Sequence, residues 1–161
     1  SEHIAGELMK RFKILRPVST DFADKLKAID KERGENLSKN LERGLMAIPL
    51  LAHEALTTAY INDVDSLGVF AQQLYGFGRP RDVFLGISTS GNSKNVMLAT
   101  VVARALGLKV IGLTGTKGGE LAIVADVAIK VPEKETYMIQ ELHLPVYHCL
   151  CLMLEDRFLG E

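Results

Sequence analysis

Asp82 to Val96 reads DVFLGISTSGNSKNV, and this stretch decides the fold. The apolar run Val83-Phe84-Leu85-Gly86-Ile87 has the character of a strand buried on both faces, as in a parallel sheet. Ser88, Thr89, Ser90, Gly91, Asn92 and Ser93 follow, and then Val96, Leu98, Ala99, Val102 and Ala103 fall along one side of a helix. A strand that turns through hydroxyls and glycine into a helix is suited to phosphate. The first amides of a helix lack intrahelical acceptors, and the helix dipole favours an anion there. Ser88, Thr89, Ser90 and Ser93 add donors without adding charge, and Gly91 allows close backbone approach. A capped turn is the plainer alternative, because Ser, Thr and Asn are good N-caps. Six consecutive small or polar residues exceed what a cap needs. Neither a Gly-x-Gly-x-x-Gly fingerprint nor a Gly-Lys-Ser/Thr loop is present, so no nucleotide cofactor is expected.

The alternation continues on both sides of this stretch. Upstream, a helix is predicted from the first residues to about Phe12. The charged segment Asp21 to Gly44 predicts two amphipathic helices broken near Gly34. Leu45 to Leu51 is apolar and predicts a strand. His53 to Tyr60 reads as helix, Asn62 to Asp65 as a turn and cap, and Ser66 to Tyr75 as helix. Downstream come a helix over 93–106, a strand over 109–113, a helix over 120–125, a strand over 127–131 and a long helix over 136–157. This order predicts an α/β fold, a three-layer α-β-α sandwich around a mainly parallel sheet. Ligands in such sheets sit at the carboxyl ends of strands, where the turns after Ile87 and Leu113 lie.

Composition narrows the function. A chain of 161 residues suits one domain. A net charge of −1 and a pI near 6.4 leave no basic footprint for nucleic acid. No apolar run is long enough to predict a transmembrane helix, and Ser1 to Lys10 has no signal-peptide pattern. Cys149 and Cys151 are two apart on a helix and face different ways, so they read as buried free thiols of a reducing cytoplasm.

Two helices carry further chemistry. His3 and Glu7 share a helix face, a spacing that can hold a divalent metal and equally describes a solvated surface pair. The final helix, TYMIQELHLPVYHCLCLMLED, is apolar enough to predict extensive burial, with Gln140, Glu141, His143 and His148 as its polar exceptions. A buried histidine needs a partner, so His148 is expected to be hydrogen-bonded or liganded. Pro145 predicts a kink. Gln140 and His148 are separated by about 12 Å of ideal helical rise, and a kink or bulge would shorten the reach between them.

STSGNS, the IQE-x-H-x-x-x-x-H pattern of Ile139 to His148, and H-x-x-x-E at His3 to Glu7 resemble the SIS (sugar isomerase) domain family, and within it the bacterial phosphoheptose isomerases. The resemblance implies an SIS-type, flavodoxin-like single domain over 1–161, with a helical insertion near 19–43. It implies isomerisation of sedoheptulose 7-phosphate to glycero-manno-heptose 7-phosphate through an enediolate. It also implies one zinc ion per site and a homotetramer with shared active sites. Carried over by residue, Ser88, Thr89, Ser90 and Ser93 hold the phosphate. Asn62, Asp63 and Gln140 meet the sugar. His3, Glu7, Gln140 and His148 bind the metal, and Glu7 and His148 also move protons. The family carries a helix, a strand and a Gly-Asn-Gly-Gly-Ser loop ahead of the H-x-x-x-E helix, so the domain is expected to be N-terminally incomplete. Tyr137 stands where the family has aspartate. The competing reading is a non-catalytic SIS module that senses a sugar phosphate or binds a protein such as the replication initiator. A different phosphosugar isomerase is the third. Four polar groups in apolar helices favour catalysis over an adaptor.

Overall fold

The computed structural model describes residues 1–160. Its elements in chain order are α1 (Glu2–Met9), α2 (Thr20–Ile29), α3 (Lys31–Asn40), α4 (Glu54–Asp63), α5 (Val69–Phe77), β1 (Val83–Ile87), α6 (Lys94–Ala105), β2 (Lys109–Thr114), α7 (Gly119–Val124), β3 (Val127–Lys130) and α8 (Thr136–Leu159). They form two compact units, residues 1–49 with 147–160, and Leu50–Val146. No helix among the described residues is long and apolar enough to cross a membrane.

The second unit is the expected α/β body. Its strands are parallel in the order β1-β2-β3. Phe84, Val110 and Leu108 pack with Ala99 and Ala103 of α6, Leu74 of α5 and Leu121 of α7 in one apolar cluster. Gly86 pairs in register with Gly112. A side chain at either would press on Leu121, the nearest atoms lying 3.3 Å and 3.0 Å from the added carbon that would contact them. The glycine pair therefore leaves a flat patch on which α7 lies, and Leu121 is fully buried. The helix–strand alternation, the parallel pairing and the strand positions follow the sequence reading closely.

The first unit is helical. Ser19 and Asp30 cap α2 and α3, their side chains accepting from the amides of Phe22 and Arg33. The break between these helices falls at Asp30, not near Gly34 as predicted. Gly34 lies inside α3 because a β-carbon there would come within 2.4 Å of the Leu26 backbone. The glycine thus serves close helix packing instead of a turn. One isolated antiparallel bridge joins Pro17 and Glu42.

Four further expectations are corrected. Leu45 to Leu51 forms no strand. Pro49 lacks the donor that a strand interior needs, and Met46 is 82% exposed. Asn62 and Asp63 are the last residues of α4 and do not form a turn. α1 ends at Met9, because Lys10 is extended. The final helix spans Thr136–Leu159 with Pro145 inside it, as predicted. It is, however, not buried on most sides: Leu144, Leu152, Met153 and Phe158 are exposed, as is Cys149. Its buried stripe is Ile139, His143, Cys151, Glu155 and Leu159, with half-buried Tyr147 between them. These positions recur every four residues along one face.

Candidate active site

The turn after β1 folds on its own hydroxyls. The Ser88 amide donates to the Leu113 carbonyl at 3.0 Å, which extends the β1–β2 ladder into the turn. Ser88 Oγ accepts from the Gly91 amide at 3.1 Å and lies 2.8 Å from Ser93 Oγ. Ser90 Oγ accepts from the Asn92 amide at 3.1 Å. Ser93 stands at the N-cap of α6, yet its side chain makes no cap hydrogen bond. Its hydroxyl is turned to Ser88, and Asn95 Oδ1 accepts from the Val96 amide at 2.9 Å, which leaves the amides of Lys94 and Asn95 as the open donors of the first turn. Open amides at a helix terminus favour an anion.

A second turn braces the first. The Gly115 amide donates to the Thr89 carbonyl at 3.0 Å, and the Leu121 amide to the Gly91 carbonyl at 2.9 Å. Asn92 Oδ1 accepts from the Glu120 amide at 2.9 Å. Gly91 has φ +70°, and a β-carbon on it would fall 1.8 Å from the Gly118 carbonyl oxygen. Only glycine fits this crossing. Of the residues assigned to phosphate, Ser88 is buried, Thr89 and Ser93 are half-buried and Ser90 is exposed. Asn62 and Asp63 are exposed at the end of α4.

Of the proposed proton and metal groups, His3, Glu7 and His148 gather in the other unit, whereas Gln140 belongs to the same unit as the turn. His3 Nε2 lies 3.2 Å from Glu7 Oε1 across one helical turn. His3 Nδ1 lies 2.9 Å from the Tyr147 hydroxyl. A phenol both donates and accepts, so it serves either tautomer of His3. The His148 ring stands edge-on to those of His3 and Tyr147, with centroids 5.2 Å and 4.9 Å away, and tilted against Phe12 at 5.4 Å. His148 is half-buried and packs against those three rings. Burial, with Cys151 and Glu7 nearby, raises the Tyr147 phenol further above its ordinary value, so it stays protonated at neutral pH. Gln140 is exposed on α8, and the helix continues unbroken from it to His148.

The donor types suit zinc. The 3.2 Å between His3 Nε2 and Glu7 Oε1 is near the separation of about 3.3 Å for two ligands on a tetrahedral ion with bonds of roughly 2.0–2.1 Å. The pair therefore fits a shared metal, with the His148 ring beside it. Among the described residues, no three His, Cys, Asp or Glu side chains are already arranged to hold one.

Sequence reasoning missed Tyr147, Phe12, Arg16 and Glu155 in this cluster. Tyr147 and Glu155 could have been found from the four-residue stripe of α8, where each falls on the same face as Cys151. His143 was noted as polar but not as the buried one. It is 5% exposed, and burial lowers its pKa despite a hydrogen bond with the Thr114 backbone. It is therefore neutral at pH 7.

A model of the SIS domain matches residues 39–115, which include the hydroxyl turn and the strands on either side of it. Phosphoheptose isomerase from Akkermansia muciniphila is 36% identical over 160 residues, 99% of this chain and 71% of the relative. The protein of that name from Geotalea daltonii is 38% identical over 161 residues, 100% of this chain and 70% of the relative. Among solved structures, a phosphoheptose isomerase from Francisella tularensis superposes with a TM-score of 0.75 at 29% identity, covering 96% of this chain and 69% of that one. The Neisseria gonorrhoeae enzyme gives 0.66 at 36% identity, covering 82% and 68%. The chain belongs to this family, the phosphoheptose isomerases of the SIS-domain class.

Proposed function

We propose that this chain, acting as one SIS domain, converts sedoheptulose 7-phosphate to D-glycero-D-manno-heptose 7-phosphate in the cytoplasm. Family membership over nearly the whole chain supports the reading, and one local observation carries it. His3 and Glu7 lie in contact beside His148, on two helices that the chain brings together across more than 140 residues. A non-catalytic module has no need of that convergence.

In this reading the amides at the start of α6, with Ser88, Thr89, Ser90 and Ser93, bind the phosphate. That interaction lies far from the reacting carbons and supplies orientation. Asn62, Asp63 and Gln140 contact the sugar hydroxyls. Glu7 takes a hydrogen from C1, beside the C2 ketone, and returns it to C2. His148 gives a proton to O2 and receives one from O1, which leaves an aldehyde at C1 and a hydroxyl at C2. No atom is gained or lost. Held by His3, Glu7, Gln140 and His148, a zinc ion supplies Lewis-acid polarisation of the carbonyl when bound. His3 sits between Glu7 and the Tyr147 hydroxyl, so its ring is oriented whichever group it serves. The working assembly in this proposal is a homotetramer whose subunits share active sites.

The test is an isomerase assay on sedoheptulose 7-phosphate with metal content measured on the same sample. Conversion to the aldose, together with zinc near one per chain, supports the proposal. A folded, zinc-loaded protein that leaves the sugar unchanged refutes it. Light scattering tests the tetramer separately.

A further inference from the structure

Among the described Lys, Arg, Asp and Glu residues, only Arg16 and Glu155 are completely buried, at 0% exposure each. Charges withdrawn from water persist only when paired and hydrogen-bonded. Glu155 Oε1 accepts from Arg16 Nε at 2.9 Å and from the other side of the guanidinium at 2.8 Å. It also accepts from the Phe12 amide at 2.9 Å, while Oε2 accepts from the Lys13 amide at 2.9 Å. The remaining guanidinium donors go elsewhere. One reaches the Leu8 carbonyl at 2.8 Å and another the Glu7 carbonyl at 3.3 Å.

Those two carbonyls belong to the last turn of α1, where a helix has no internal donors to offer. α1 has eight residues, no side-chain N-cap bond and no basic residue in its own last turn. So short a helix is not held by its own hydrogen bonds. Arg16 supplies from outside the cation that its carboxyl end lacks. Glu155 lies two turns beyond Tyr147 and His148 on α8. The pair thus grips the backbone of Glu7 itself and ties it to the helix that bears His148.

We propose that Arg16 and Glu155 are positioning residues, whose joint hydrogen bonds fix the Glu7 carboxylate relative to His148. This rests on the reading of Glu7 and His148 as the acid–base pair. Apolar residues of similar volume could fill the same space. They could not satisfy the amides of Phe12 and Lys13 and the carbonyl of Glu7 at once; the Leu8 carbonyl also accepts from the Leu45 amide at 2.9 Å.

The experiment compares Arg16→Lys, Glu155→Gln and Glu7→Gln in the zinc-loaded enzyme. Lysine keeps the charge but cannot reach both Glu155 and the α1 carbonyls. Glutamine keeps the shape and one acceptor oxygen. Circular dichroism checks folding, and hydrogen exchange reads the Phe12 and Lys13 amides. In whichever of Arg16→Lys and Glu155→Gln folds, kcat falls about 100-fold while KM stays within about twofold, the pattern of misplaced reacting groups. Exchange at those two amides accelerates in the same variant. A folded variant with faster exchange but unchanged kcat overturns the positioning role, provided Glu7→Gln is inactive. An active Glu7→Gln instead overturns the reading of Glu7 on which the inference stands.

Discussion

The hydroxyl turn and the α1–α8 cluster present opposite kinds of site. The turn is made by neighbours in sequence: Ser88 reaches Ser93, and Ser90 reaches Asn92. It carries no charge and is braced by main-chain bonds from the next turn. The cluster joins His3 to Tyr147 and Arg16 to Glu155, pairs that lie far apart in the chain. It is rich in ionisable groups and depends on a buried ion pair. The difference teaches where fragility lies. A local, neutral cradle tolerates the loss of any one hydroxyl, because backbone amides remain. An assembled, charged cluster does not tolerate the loss of either ion, because the other is left buried and unpaired.

The contrast breaks most visibly at Glu7. Glu7→Gln is expected to lower kcat by about 100- to 10,000-fold, the range of a lost general base, with little change in thermal midpoint. Steady-state kinetics beside a melting curve checks it. Glu155→Leu is expected to act on the fold instead, costing roughly 3–5 kcal/mol by stranding Arg16. Urea unfolding reads that directly.

The same carboxyl gives a pH signature. Burial alone raises the Glu155 pKa, but the amides of Phe12 and Lys13 and the Arg16 guanidinium outweigh it and hold the carboxyl below its ordinary 4.5. A carboxyl lowered in the native state stabilises the fold above its unfolded value. That contribution drains away as pH falls from about 4.5 through the lowered native value. Urea midpoints measured from pH 6 down to 3 are expected to drop more steeply in the unmodified protein than in a folded Glu155→Gln variant.

The turn sharpens the contrast from the other side. Ser88→Ala removes one of two acceptors of the Gly91 amide, which keeps the Ser88 carbonyl at 3.0 Å, and is expected to cost about 0.5–1.5 kcal/mol. Sugar-phosphate affinity, followed by titration calorimetry, weakens with it. Ser90→Ala loses only an exposed hydroxyl bonded to Asn92 and is expected to weaken phosphate binding by about fivefold, or roughly 1 kcal/mol. Equal, hundredfold losses in both would mean that the cradle is as brittle as the cluster.

Legibility in the sequence divides along the same line. The strand Val83–Ile87, its hydroxyl turn and α6 were readable, because apolar run, turn residues and helical spacing follow one another without interruption over 83–105. The parallel sheet followed from the alternation alone. Leu45 to Leu51 misled because hydropathy reports burial tendency, whereas a strand also needs a neighbour and donors, and Pro49 offers none. Gly34 misled because glycine marks close packing as well as turns. The H-x-x-x-E spacing pointed to His3 and Glu7. The Tyr147 contact and the Arg16–Glu155 pair could not be read, since nothing local says which helix α1 will meet. The four-residue stripe of α8 was visible, but an apolar count hid it.

The most direct test of the account is hydrogen exchange at C1 of sedoheptulose 7-phosphate in deuterated buffer, followed by proton NMR with the unmodified protein and Glu7→Gln. The account predicts that the unmodified protein both forms the aldose and washes C1 hydrogen into solvent, while Glu7→Gln does neither. Exchange and isomerisation at undiminished rates in Glu7→Gln would contradict it.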